Sequence, residues 1–379
     1  MRAADDKGVS AVTPAPRAGA TLAGLLNGSA IRRLMETSLA PTSALRPMHP
    51  MHLLAALAVA AFASAPCLPA QAGTLRGAGA TFPAPVYEAW AAAYEHASGT
   101  PVRYDPIGSG LGLELASNGH VDFGATDAPV PADQLAATGL RQFPVVIGAV
   151  VPVVNIAGIA PGRLVLDAFA ISAIYRGEIV NWRDPAIAKL NPGLSLPDAH
   201  ITVVHRADAS GSTWLWTHWL SESDPFWQKQ IGVGTSIAWP VGAEGLGNEG
   251  VASLVQRTRA AIGYVAYAYA REHHLSDVAL PSHDGPVVRA GRGAFEAALA
   301  GAHWHSVEDL TGSLTTGPGV NSWPIVGASY VLTRPGSDEL ARVDAFFDWA
   351  LTSGAGIAND LGYVALPPNV VALVRQTMR

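Results

Sequence analysis

The chain has 379 residues, of which 49% are hydrophobic and 14% charged, and a formal net charge of −6. That length and composition exclude global disorder and leave room for two domains. Lysine occurs only at Lys7, Lys189 and Lys229, and without a polybasic run nucleic acid is excluded as a partner.

Residues 1–72 differ from the rest. Met1 to about Arg46 is rich in Ala, Arg, Pro, Ser and Thr and only weakly periodic. Leu53 to Ala63 is uncharged and apolar, too short to span a bilayer, and is followed by the small-x-small site Ala70-Gln71-Ala72. This is the pattern of a signal peptide cleaved after Ala72. It starts unusually far into the chain. Either translation begins at Met48 or Met51, or a long leader includes Arg32, Arg33 and Arg46; both imply export. Cys67 is the only cysteine, and Pro66 before it suits a lipid anchor poorly. A mature chain from Gly73 then has no thiol or disulfide chemistry. Six of the 24 basic and three of the 30 acidic residues precede Gly73, so the mature charge is −9. Local donors, not the overall field, must hold any anion that binds.

From Gly73 onward, short strands and helices alternate. Gly77-Ala-Gly-Ala-Thr-Phe-Pro83 is a Gly-rich turn into a helix, with Thr81 as N-cap and Gly99 as the stop. Val102 to Tyr104 is a short strand, and Ile107 to Gly112 opens a second helix. Val121 to Asp127 is a strand ending in an acid. Phe143 to Ile156 is strongly apolar, but Pro144 and Pro152 favour two short extended segments or a crossover over one central strand. Leu164 to Tyr175 is helix-rich, and Asn181 to Pro197 is a loop with three prolines. Ile201 to Val204 is a β run, and Trp214 to Leu220 reads as a helix. Trp239 to Gly250 is a Gly-rich surface loop, followed by a helix from Gly250 to Arg259 and a strand from Ala261 to Ala268. Gly291 to Ala300 is helical, and Thr311 to Asn321 reads as a linker. Trp323 to Leu332 is β. Helices over Asp338–Ser353 and Asn369–Met378 close the chain. The alternation predicts an α/β fold, with ligands beyond the carboxyl ends of strands.

The turn His205-Arg-Ala-Asp-Ala-Ser-Gly-Ser-Thr213 combines a cation, an acid, small hydroxyls and a Gly between strand and helix. A helix N-terminus has unpaired N–H groups and partial positive charge. Gly211 allows close approach, Ser210 and Ser212 add hydroxyl donors, and Arg206 adds a forked cation that Asp208 can hold in plane. The turn equally fits an ordinary Ser N-cap beside a surface Arg–Asp pair. Two further helix starts, at Thr81-Phe82 and Ser109, share the Gly-plus-hydroxyl character and favour an oxyanion site of neutral donors. No P-loop is present, Gly108-x-Gly-x-Gly112 lacks dinucleotide spacing, and Ser210 lacks the nucleophile elbow. His273-His274 and His303-Trp-His305 have no carboxylate or Cys partners at metal spacing, so they read as surface residues and no metal or cofactor is expected. Most of the ten tryptophans read as core, although Trp214, Trp216 and Trp219 crowd one helix.

Several stretches resemble the periplasmic phosphate-binding proteins of high-affinity phosphate ABC importers. They are Gly77-Ala-Gly-Ala-Thr-Phe-Pro-Ala-Pro85, Ile107-Gly-Ser-Gly110, Val121-Asp-Phe-Gly-Ala-Thr-Asp-Ala-Pro129, Phe143-Pro-Val-Val-Ile-Gly148, Val203-Val-His-Arg-Ala-Asp-Ala-Ser-Gly-Ser212, Ala261-Ile-Gly-Tyr-Val265, Phe346-Phe-Asp-Trp-Ala350 and Ala358-Asn-Asp-Leu361. Together they cover essentially all of 73–379 in order. The resemblance implies a two-lobed periplasmic-binding-protein fold of type II. Residues 73–149 completed by 322–379 would form the first lobe, and 150–321 the second. It implies a periplasmic monomer that is not an enzyme and whose partners are inorganic phosphate and membrane permease subunits. Thr81, Phe82, Ser109 and Asp127 would contact phosphate from the first lobe, and Arg206, Ser210, Gly211 and Ser212 from the second, with Asp208 supporting Arg206. The family commonly has Gly at Ala209, Thr at Ser212 and a second basic residue at His205. Phosphate near neutral pH keeps a proton that Asp127 can accept, and sulfate has none, so an unpaired acceptor pair would penalise sulfate. Arsenate shares the phosphate pattern. Two rival readings are a phosphate-ester hydrolase, for which the only nearby base is His205, and a phosphate-sensing surface protein or adhesin.

Overall fold

The computed structural model describes residues 73–378 except 283–284, 303, 305–313 and 316–318. The expected leader and cleavage site, and most of the expected linker, lie outside the described residues. In chain order the elements begin β1 (Leu75–Gly79), α1 (Ala84–Ser98), β2 (Val102–Asp105), α2 (Ser109–Ser117), β3 (Phe123–Thr126), α3 (Ala132–Thr138) and β4 (Arg141–Val154). They continue with α4 (Ala168–Tyr175), α5 (Pro185–Leu190), β5 (Thr202–Arg206), α6 (Gly211–Ser223), α7 (Pro225–Gln230), β6 (Ala243–Gly245), α8 (Gly247–Arg257), β7 (Ala261–Ala266) and α9 (Tyr267–Glu272). They end with β8 (Ser276–Asp277), β9 (Leu280–Pro281), β10 (Val287–Val288), α10 (Arg292–Ala300), β11 (Val326–Thr333), α11 (Leu340–Thr352), α12 (Ala355–Asp360) and α13 (Pro368–Met378).

The main sheet runs β2-β1-β3-β11-β4-β7-β5-β6, with β8 also on β4. β1 pairs in parallel with β2 and β3, and β5 in parallel with β6 and β7. β11 returns late in the chain and lies antiparallel between β3 and β4. β4 joins the two halves. It pairs with β11 through Ala149 and with β7 from Val150.

β4 makes the expected crossover between the halves, but as one continuous strand rather than two short segments. Between Ser329 and Tyr330 the partner register skips from Val146 to Pro144, so Val145 is the extra residue of a bulge beside the proline. Bulges tolerate a missing ladder donor. Pro152 lies beyond the end of β11, and its carbonyl accepts from Val278 N–H. Every β4 residue after Arg141 is buried, because helices cover both faces; such a strand is uniformly apolar rather than alternating.

Aromatic side chains fill both cores. In the first half Tyr87 stacks on Trp90, Phe123 meets Phe347 edge-on, and Trp90 Nε1 donates to Gly354 O at 2.8 Å. These contacts fasten α1 and α11 to the sheet. In the second half Trp216 stacks on Tyr264 with ring centroids 4.9 Å apart, directly behind the β5–α6 turn. Of the clustered tryptophans, Trp216 and Trp219 are buried and Trp214 packs against the core. Among the described residues no helix is long and apolar enough to cross a membrane, and no cluster of metal-ligating side chains occurs.

Candidate functional site

Four loops at the carboxyl ends of β1, β3, β5 and β6 converge with the start of α2. At the end of β1, Gly79 has φ +143°, and a Cβ there would lie 2.2 Å from Ala125 O; only glycine lets β1 pass β3 this closely. The next three carbonyls are each taken by a tyrosine hydroxyl. Tyr104 donates to Ala80 O at 2.7 Å, Tyr269 to Thr81 O at 2.9 Å, and Tyr363 to Phe82 O at 2.6 Å. Thr81 is not an N-cap, contrary to expectation. α1 starts at Ala84 with no side-chain cap, because the Thr81 hydroxyl is engaged across the cleft by Asn248. The Phe82 ring is core, edge-on to Tyr363.

Ser109 opens α2. Its Oγ accepts from Gly211 N–H at 3.0 Å and from Asp127 N–H at 3.4 Å, so one hydroxyl joins the ends of β3 and β5. β3 stops at Thr126, one residue short of the expected end, and Asp127 follows it. Asp127 is 2% exposed, and its Oδ1 has no hydrogen-bond partner. Burial pushes its pKa up to about 7, against the pull of the Ser329 hydroxyl and the Arg206 charge.

Arg206 ends β5 with its side chain 1% exposed. Its Nε donates to Asp208 Oδ1 at 2.8 Å, its Nη2 donates to Asp208 Oδ2, and its Nη1 has no partner. Asp208 also accepts from Gly247 N–H at 3.0 Å. Burial works to raise the Asp208 pKa, but the bonds and charge of Arg206 outweigh it and hold the carboxyl below its ordinary range. Ser210 caps α6, accepting from Thr213 N–H at 3.2 Å. A Cβ on Gly211 would lie 2.5 Å from Asp127 Cβ, so the glycine lets the two halves close on each other. Ser212 is buried at the first turn of α6. Ala209 has no positive φ; its Cβ lies against Gly110, whose N–H donates to Ala209 O at 3.0 Å. His205 stacks on Trp239 at 4.8 Å with Nδ1 against Arg206 O, outside the junction.

Thr81, Ser109, Asp127, Arg206, Gly211 and Ser212 therefore share one closed, buried junction. Ser210 supports it through its cap, Asp208 through Arg206, and Phe82 can reach it only by its backbone. Sequence reasoning missed Asn248, which was assigned to a surface loop. It is 0% exposed in α8, which begins at Gly247, three residues earlier than expected. The available signal was Gly245-Leu-Gly-Asn-Glu-Gly250, a fourth Gly-rich helix start carrying a polar side chain. A cavity of 610 Å³ lies beside the junction, walled by Glu88, Glu249, Glu272 and Asp360 around Arg271 and Tyr269.

Two α/β lobes that close over a buried polar site define a solute-binding protein of the periplasmic-binding type. A family model described as "PBP superfamily domain" matches residues 66–353. The phosphate-binding protein PstS of Pasteurella multocida is 43% identical over 311 residues, covering 81% of this chain and 90% of that protein. PstS of Haemophilus influenzae is 43% identical over 309 residues, covering 81% of this chain and 92% of that one. The solved phosphate-binding protein from Stenotrophomonas maltophilia superposes with a TM-score of 0.59 at 16% identity, covering 80% of this chain and 94% of that one. The chain belongs to the PstS phosphate-binding proteins of the PBP superfamily.

Proposed function

We propose that the chain is an exported, periplasmic protein that captures inorganic phosphate in the closed cleft and delivers it to the permease subunits of an ABC importer. The carrying observation is a pair of orphaned buried atoms at one junction, Arg206 Nη1 and Asp127 Oδ1. A buried donor and a buried acceptor each cost about 1–3 kcal/mol when unpaired. A partly protonated oxyanion satisfies both, with an oxygen for Arg206 and an O–H for Asp127. Thr81, Ser109, Ser212 and the N–H groups of Phe82 and Ser212 complete the donor set, while Ser210 N–H is spent on Thr235 O at 2.8 Å and Gly211 N–H on Ser109 Oγ. Residues 73–149 with 322–379 act as one lobe and 150–321 as the other, hinged where β4 changes partners. The capture protein works as a monomer.

No catalysis is assigned. The Ser210 hydroxyl serves as a helix cap, and His205 packs on Trp239 rather than against it. Calorimetric titration of the chain from Gly73 with inorganic phosphate should give one tight site per chain. The reading fails if no heat of binding appears, or if a chromogenic phosphate ester is hydrolysed by the wild type but not by Ser210→Ala. Restored phosphate uptake in a strain lacking its own binding protein tests delivery; binding without uptake would favour a sensor.

A further inference from the structure

Asn248 spans the cleft. Its Nδ2 donates to Thr81 Oγ1 at 2.8 Å and to Ser212 Oγ at 3.4 Å, and its backbone N–H donates to the same Thr81 Oγ1 at 3.2 Å. Its Oδ1 accepts from Ala266 N–H at 2.7 Å, which fixes the amide so that Nδ2 points toward the two hydroxyls. Thr81 belongs to the β1 loop of one half, and Asn248, Ser212 and Ala266 to the other.

The chemistry follows from the capacity of a hydroxyl, which has two acceptor lone pairs and one proton to donate. Asn248 occupies both lone pairs of Thr81 Oγ1. Ser109 Oγ likewise accepts twice, from Gly211 and Asp127 N–H. Neither hydroxyl can turn a lone pair toward the cleft; each has only its O–H left to offer. An anion then meets donors alone from both, and no reorientation is needed at the moment of binding.

We propose that Asn248 is a positioning residue: on closure it latches Thr81 of one lobe to Ser212 of the other and commits the Thr81 hydroxyl to donate to the bound anion. This rests on the assignment of the cleft as a phosphate site. Because the Thr81 contact exists only when the cleft is closed, the latch retards release rather than hastening capture.

The test is a double-mutant cycle on the chain from Gly73, titrated with inorganic phosphate, with release followed by stopped flow. Asn248→Ala should weaken binding at least tenfold and speed release at least tenfold, with association changed less than twofold. In a Thr81→Ala background the same substitution should cost less than threefold. Asn248→Asp keeps the acceptor for Ala266 N–H and serves if the alanine variant does not fold. Its deficit should also shrink in the Thr81→Ala background, whereas simple charge repulsion would leave it unchanged. Equal deficits in both backgrounds, or wild-type affinity in Asn248→Ala, overturn the latch. A wild-type chain that binds no phosphate overturns the site assignment instead.

Discussion

The loops after β3 and β5 present a buried and a half-buried aspartate to the same arginine, and the two carboxyls behave in opposite ways. Asp208 is two residues from Arg206, takes two of its N–H groups and is held below the ordinary carboxylate range. Asp127 feels Arg206 only at a distance, leaves Oδ1 unpaired, and is pushed up to about 7 by burial. Desolvation works to raise both, more completely at Asp127; only Asp208 has the bonded cation that outweighs it. Asp208 is thereby a permanent anion that orients Arg206. Asp127 is poised to hold or lose a proton near neutrality, as the proposed recognition of a proton on phosphate requires.

The strongest way to break this comparison is to remove the shared cation. Arg206→Ala leaves Asp208 with Gly247 N–H and no counter-charge, and removes the one ionic donor to the anion. Truncating one member of a buried pair costs about 3–5 kcal/mol. Phosphate affinity should fall at least ~100-fold, about 2.7 kcal/mol. Near-wild-type binding by calorimetry would show that neutral donors alone hold the ligand.

Next in size is the acceptor itself. Asp127→Asn replaces a carboxylate by an amide that can donate, so the penalty on sulfate is relieved while phosphate loses one charge-assisted bond. The ratio of sulfate to phosphate dissociation constants should drop at least ~10-fold, with phosphate alone weakened less than that. Competition titrations with an unchanged ratio would remove Asp127 from the account of selectivity.

The raised pKa sharpens the same point without a mutation. Below about pH 7 Asp127 is a neutral acid able to donate to sulfate; above it, it is a carboxylate that only accepts. Sulfate, whose own charge is constant over this range, should therefore bind more tightly at pH 5 than at pH 8 in a direct titration, by roughly tenfold, a change of one pKa unit's worth of interaction. Asp127→Asn, which cannot titrate, should bind sulfate equally at both. A wild-type profile as flat as the variant's would place the proton elsewhere.

Much of the candidate site was legible because its junction is built from local signals. Gly-and-hydroxyl turns at strand ends identified Thr81, Ser109 and Ser210 to Ser212, and the Arg206–Asp208 spacing foretold their pair. What escaped was set by contacts distant in sequence. Asn248 reaches Thr81 across 167 positions, and Tyr363 reaches Phe82 across 281. No local pattern marks those hydroxyls, amides or carbonyls as partners. Thr81 was misread as a cap because capping and cleft bonding require the same residue type. The crossover at β4 was expected but its continuity was not, because Pro144 argues against a central strand unless a bulge is known to lie beside it.

The smallest expected effect concerns Ala209, where the family commonly has glycine. Its backbone is not left-handed, so alanine fits the turn without strain, and its Cβ fills the space opposite Gly110. Ala209→Gly would free the turn in the unfolded chain and empty that contact, lowering stability by about 0.5–1 kcal/mol. Arg206, Ser210 and Asp127 keep their anchors elsewhere, in Asp208, the α6 cap and the end of β3. Phosphate affinity should therefore stay within about twofold while the melting temperature falls by about 1–4 °C. A tenfold change in affinity at constant stability would mean that this methyl group, and not the Arg206–Asp208 pair, sets the angle at which the β5 turn meets the anion.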